Sequence, residues 1–402
     1  MLGAGAFAVW GPAAAAAGRW LPLAVLLAAL TAFCTTASAA ELVLAGERPS
    51  TDGVGDFGAL DIVRARLPDA VGRLGAVAFL VARTAAAAAV ALVFGSYVLP
   101  TASVPAAIGV IVVATIAHVA GLRATVRGTY ALVGGTIAVL LFAVLAALLM
   151  TGQAPVAPAA GLVLDPVVLG WGALGITGAA GYVSFAFAGL ARAAVVGAAA
   201  EEPPAALRRA VLATSAIGLA VLLLLAVALL AGMGPERLAG EVAPLAAVVD
   251  AGRAPAMGVL VRVGAAVVAL GALLGIMGGL SRTVVTMARA GELPAALAVA
   301  GARGTSCRAG LVAGAASIVV VLLVGQAAAI AVSACAVLLA YAVVNLAAMR
   351  LPAAGRSWPR WAPVLGLVLT LVLAASLPPI QVLVAVALVA VGWAAATVRV
   401  TP

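Results

Sequence analysis

Turn chemistry cuts this chain into apolar runs of bilayer length, and that property removes almost every fold it could otherwise adopt. The runs cover approximately 2–17, 21–44, 74–99, 101–121, 129–151, 166–191, 210–234, 257–288, 309–325, 328–349, 361–377 and 380–397. A helix needs roughly 20 apolar residues, and about 17 at the least, to cross the hydrocarbon core. Eleven runs meet that requirement and the first falls short. The breaks lie at Pro100, Gly152 to Pro158, Pro203-Pro204, Gly325-Gln326, Pro352 to Pro363 and Pro378-Pro379, where proline and glycine stop helices. With 66% hydrophobic and 9% charged residues, no soluble fold could hide the apolar surface. The ten-residue alternation of a membrane β-barrel is missing, so the fold class is an all-α polytopic membrane protein.

All basic side chains are arginine, since the chain has no lysine. Arginine keeps its proton, so no mechanism that needs a titrating amine is open to this protein. The net charge of +9 invites a nucleic-acid reading, but the distribution of the arginines argues otherwise. If the connections after the even-numbered runs share one side, that side holds seventeen arginines. The other holds Arg19, Arg237, Arg253 and Arg262. The richer side is then cytoplasmic, and the charge orients the protein in the inner membrane of a bacterium rather than recruiting a polyanion. Cys34, Cys307 and Cys335 lie in or beside apolar runs without metal-ligand spacing and read as small buried thiols. No cofactor or metal is implied, and no cleavable secretory leader is recognisable. Residues 59–67, ALDIVRARL, read equally as an interfacial amphipathic helix or a solvated linker. The connection 235–256 is expected to include a short helix.

Two apolar runs carry internal breaks. Gly3-Ala4-Gly5-Ala6-Phe7 opens the chain, and Ser184-Phe185-Ala186-Phe187-Ala188-Gly189 lies about half a chain later. Interrupted helices at corresponding places in two halves of a membrane protein are the best single-sequence pointer to a solute-binding site. The bland alternative is that these small residues only let helices pack closely.

Around the second break, Phe185-Ala186-Phe187-Ala188-Gly189-Leu190-Ala191-Arg192, followed by Glu201-Glu202-Pro203-Pro204 and on to Ala210, resembles the amino acid–polyamine–organocation (APC) permease family. Gly3 to Gly11 is similar to that family's broken first helix. The stretch Ser281 to Pro294, SRTVVTMARAGELP, is similar to its exit from helix eight. Leu339 to Leu346, LAYAVVNL, is similar to helix ten. The likeness runs in order over essentially the whole chain. It implies a LeuT-like 5+5 inverted repeat, about 1–151 and 166–349, with two further helices at about 361–397. It also implies a secondary or exchange transporter of amino acids working by alternating access, with the lipid bilayer as its other partner. The implied substrate-binding residues are Gly3, Ala4, Gly5 and Phe7 on one side, and Phe185, Ala186, Phe187, Ala188 and Gly189 on the other.

Several residues depart from the family's pattern. Nothing in the chain precedes the glycine break, although members of the family carry a half-helix there; a start upstream of Met1 is the expectation, with a truncated permease as the alternative. Many cation-selective relatives place an acid just after the second break, where this chain has Ala191 and Arg192. A dicationic polyamine would find no carboxylate there, so a neutral or zwitterionic amino acid fits better. Arg83 falls inside the third run and reads either as a coupling or gating group, with Glu41 as candidate partner, or as an arginine snorkelling to the interface. Asp165 stands near the outer entrance of the sixth run. His118 reads chiefly as a hydrogen-bonded interfacial residue. The competing function is a non-transporting sensor or accessory subunit that keeps the fold. An enzyme is disfavoured, because there is one histidine and no paired intramembrane carboxylates.

Overall fold

Backbone N–H and C=O groups find no water inside a bilayer, so each apolar run must satisfy its own by coiling into a helix. The computed structural model describes residues 3–45, 63, 66–121, 126–149, 172–190, 204–251, 257–299, 306–352 and 356–397, with helices and no strand among them. The first run gives α1 (Gly5–Ala8) and α2 (Trp10–Ala17); the second gives α3 (Leu21–Ala45). Next come α4 (Asp69–Val98), α5 (Ser103–Val119), α6 (Val126–Leu149) and α7 (Gly172–Phe187). The second half holds α8 (Pro204–Met233), the short α9 (Pro235–Gly240) and α10 (Pro244–Asp250), and the long α11 (Gly258–Arg289). It closes with α12 (Cys307–Leu323), α13 (Gln326–Met349), α14 (Trp361–Ala375) and α15 (Pro379–Thr397). Each of the twelve expected apolar runs thus contains a helix. The 235–256 connection holds two short helices where one was expected.

Seven stretches are long and apolar enough to cross a membrane, and four shorter apolar helices accompany them. One of the seven, Trp10–Ala45, joins α2 to α3. A straight helix of that length would reach about 54 Å, well beyond a bilayer. Gly18 interrupts it with φ 52°, a value that strains any residue with a Cβ, and a 3₁₀ turn (Gly18–Trp20) leads into α3.

The helices sort into a centre and a periphery. In α13, 78% of the most apolar window is buried, and in α4 67%, whereas α15 buries only 17%. The α4 and α13 helices pack on each other along their lengths. The outer helices turn Ile116, Leu323, Ile380 and Leu383 outward. A band of exposed branched apolar side chains on helices that span a bilayer is a surface for lipid.

The exit of α11 shows why the SRTVVTMARAGELP stretch ends where it does. Gly291 takes φ 74°, its N–H bonds Ala288 O, and Glu292 N–H bonds Met287 O at 2.9 Å. That pair of bonds is a Schellman cap, which satisfies the last carbonyls of the helix. Pro294 follows, where the helix cannot resume.

Of the 59–67 stretch, Val63, Arg66 and Leu67 are described. Val63 and Leu67 are buried against α3 and the end of α13, and Arg66 donates to Ala45 O. Asp165, Ala191, Arg192 and Glu201 to Pro203 lie outside the described residues.

Candidate substrate site at the two helix interruptions

The first and sixth runs sit against each other, but the second interruption is narrower than the sequence suggests and the first lies elsewhere, because Gly5, Ala6 and Phe7 are helical. In the first run the earliest bonds among the described residues are Ala6 N–H to Gly3 O (3.0 Å) and Phe7 N–H to Ala4 O (3.1 Å). Among the described residues, Gly3, Ala4 and Gly5 thus stand at the start of α1. The irregularity falls at Val9, between α1 and α2. Pro12 explains it, because proline offers no N–H to the carbonyl of Ala8 four residues back. Trp10 adds to the effect, since its indole Nε1–H donates to Ala6 O at 2.6 Å.

In the sixth run, Ser184, Phe185, Ala186 and Phe187 are still helical. The chain leaves α7 only at Ala188-Gly189, where the Ala188 N–H to Phe185 O bond has stretched to 3.4 Å. The Ala188 carbonyl then takes the Tyr341 hydroxyl of α13 as its donor, at 2.6 Å.

Gly5 meets α7 so closely that a Cβ there would stand 2.8 Å from the Cα of Ala186. Only glycine admits this approach. Gly3 faces α11, where the nearest atom to an added Cβ is Ala272 Cβ at 4.0 Å. Phe7 is fully buried; its ring meets Tyr97 of α4 edge-on at 5.9 Å, and its carbonyl accepts from the Tyr97 hydroxyl at 3.1 Å. Phe187 closes the other side towards α8, with its ring edge 3.6 Å from where a Gly218 Cβ would lie. The structure thus brings Gly5, Phe7, Ala186, Phe187 and Ala188 into one neighbourhood made by α1, α4, α7, α8 and α13. Among these residues, Ala188 and Gly189 are part-open while Phe185, Ala186 and Phe187 are buried.

Glu41 and Arg83 make contacts of their own. The Glu41 carboxylate, 6% exposed, accepts from Ser357 N–H through both oxygens, at 3.0 and 3.2 Å. It lines a small cavity with Ser38, Arg356 and Trp358, so it ties α3 to the connection before α14. Trp358 seats that connection by packing edge-on to Phe33 at 5.6 Å. Arg83, midway along α4, places its guanidinium carbon 4.8 Å from the Phe79 ring centroid. Phe79 lies one turn towards the expected cytoplasmic end, the direction in which long helical side chains lean. His118 abuts α12, where an added Gly310 Cβ would lie 3.0 Å from its Cδ2.

The opposite end of the bundle carries a cap. Ser96 of α4 bonds Gln326 at 2.8 Å, and Gln326 Nε2 donates to Val242 O between α9 and α10 at 3.2 Å. Asp250 at the end of α10 pairs with Arg262 of α11. Among the described residues, no three potential metal ligands cluster.

Comparison with known proteins accords with this arrangement. A family model described as "Amino acid permease" matches residues 1–401. Proteins of Mycobacterium bovis and of Mycobacterium tuberculosis, each described as an uncharacterized transporter, are 38% identical to this chain over 404 residues. The match spans 99% of this chain and 88% of each relative. An all-helical membrane bundle, matched from end to end by that model, belongs to the amino acid permease family of the APC superfamily.

Proposed function

We propose that this protein moves neutral or zwitterionic amino acids across the bacterial cytoplasmic membrane, as a secondary or exchange transporter, by alternating access around its first and sixth apolar segments. The observation that carries the reading is the contact of Gly5 with Ala186, which puts the start of α1 against the end of α7. Amides ahead of a helix's first turn, at its positive end, suit a carboxylate. Carbonyls beyond a helix's last turn, at its negative end, suit an ammonium group. An α-amino acid offers both groups a few ångströms apart.

Gly3, Ala4 and Gly5 would hold the carboxylate, and Ala188 and Gly189 the ammonium. Phe7, Phe185, Ala186 and Phe187 would wall the pocket. Repeats at about 1–151 and 166–349, followed by two accessory helices, are the scaffold on which the two halves rock. Glu41 acts at the arginine-rich end as a gating contact, through its hold on Ser357. Arg83 is a second candidate gating group, one turn from Phe79.

The test is uptake of tritiated L-alanine, L-serine and L-leucine into proteoliposomes, by net accumulation and by exchange against preloaded unlabelled amino acid. Saturable uptake of at least one supports the reading. No saturable signal in either mode, from protein shown to be folded and inserted, overturns it.

A further inference from the structure

The carbonyl freed at the end of α7 belongs to Ala188, and at bilayer depth such a group must be given a donor. The Tyr341 hydroxyl supplies it at 2.6 Å, at the short end of the range for an O–H···O bond. Tyr341 does not float on its helix. Two turns earlier on α13, Ser333 Oγ donates to Ala82 O of α4 at 2.8 Å. One turn later, Asn345 Nδ2 donates to Thr35 Oγ1 of α3 at 3.2 Å. The phenol is thus mounted on a helix bonded to its neighbours on both sides of it.

Exposure adds a second observation. From Ala329 to Ala348 every residue of α13 is buried except Leu339, Tyr341 and Leu346. Ala188 and Gly189 are part-open as well, between buried Phe187 and buried Leu190. Partial exposure therefore coincides with the bonded pair. A carbonyl oxygen has two lone pairs, so one can accept from Tyr341 while the other is left for a second donor.

We propose that Tyr341 is a positioning residue of the transporter: its hydroxyl fixes the Ala188 carbonyl so that the free lone pair meets the substrate ammonium. The inference rests on the reading of the two interruptions as the substrate site. It assigns part of substrate affinity to a side chain on α13, a helix without an interruption of its own.

Tyr341→Phe removes only the hydroxyl. In proteoliposomes fed L-alanine, L-serine or L-leucine, it raises KM about tenfold, the scale of one lost buried hydrogen bond, and leaves the maximal rate within about twofold. Ser333→Ala removes a bond of the same helix away from the interruption and leaves KM within about twofold. In hydrogen-exchange mass spectrometry on detergent-solubilised protein, Tyr341→Phe speeds exchange in peptides covering 186–190 and leaves the 329–338 stretch unchanged. Wild-type uptake with an unchanged KM in Tyr341→Phe overturns the inference and spares the transport reading. An equal KM rise in Ser333→Ala overturns it too, since general loosening would then explain both. Absent wild-type uptake overturns the transport reading and the positioning role together, and the exchange difference then reports whether the tie survives as a structural bond alone.

Discussion

A methyl group added at Gly5 would lie 2.8 Å from the Ala186 Cα, and 3.3 Å from both its Cβ and its amide nitrogen. Ordinary contact begins at 3.4 Å, and the nearest atom is backbone, so no side-chain rotation relieves the clash. The start of α1 and the end of α7 must therefore separate by roughly 0.6 Å or more along that line, and interiors yield such distances only at the cost of off-rotamer side chains and backbone shifts. Overpacking of this kind costs about 1–3 kcal/mol. If that cost falls on the substrate-binding conformation, affinity drops by roughly 5- to 150-fold. Gly275→Ala is the matched control. It lies inside α11, gains the same helix propensity, and its added Cβ meets nothing within 4 Å. The assay is KM for amino acid exchange in proteoliposomes, with insertion verified for both variants. Gly5→Ala should lose affinity within that range while Gly275→Ala matches wild type. Equal KM values for Gly5→Ala and Gly275→Ala would refute the claim that the substrate is held where these helices meet.

Other expectations follow from contacts elsewhere in the bundle. Glu41→Ala leaves the Ser357 N–H without its acceptor at a site where Glu41 is 6% exposed, a loss of about 1–3 kcal/mol. Glu41→Gln keeps one acceptor oxygen, so the thermal midpoint in detergent should fall less for glutamine than for alanine. Cys307 is exposed at the start of α12, whereas Cys34 and Cys335 are buried. A membrane-impermeant maleimide should therefore label one thiol in inverted vesicles and none in right-side-out ones; the reverse result would overturn the assigned orientation.

Much of the architecture was legible because the bilayer imposes a simple rule. A run of apolar residues between prolines and glycines must become a helix, so the twelve runs and their helices agree to within a few residues at most ends. The arginines in the connections also give an expected orientation, which the Cys307 labelling tests. The second interruption was legible in place but not in extent, and the first was misplaced. Gly3 and Gly5 stand out as glycines, yet the irregularity falls at Val9, where Pro12 withholds an N–H from a carbonyl a full turn away. That signal was present in the sequence and was masked by the more obvious glycine pair. The partner of Ala188 had no local signature, because Tyr341 comes from a helix 153 residues later. Glu41 illustrates the same limit. An acid at the inner end of an apolar run suggests a basic side chain as partner, and Arg83 has the right chemistry. The carboxylate instead holds a backbone amide of the connection before α14, and main-chain donors carry no residue code in a sequence.

Substrate protection of a single thiol reaches the central claim most directly. With Cys34, Cys307 and Cys335 replaced by alanine and Gly189 by cysteine, the thiol stands at the part-open end of α7. Its rate of modification by a small methanethiosulfonate should fall when an amino acid that the protein transports is present at saturation, and should not respond to one that it does not transport. An unchanged rate in the presence of a transported amino acid would place the substrate elsewhere and contradict the account.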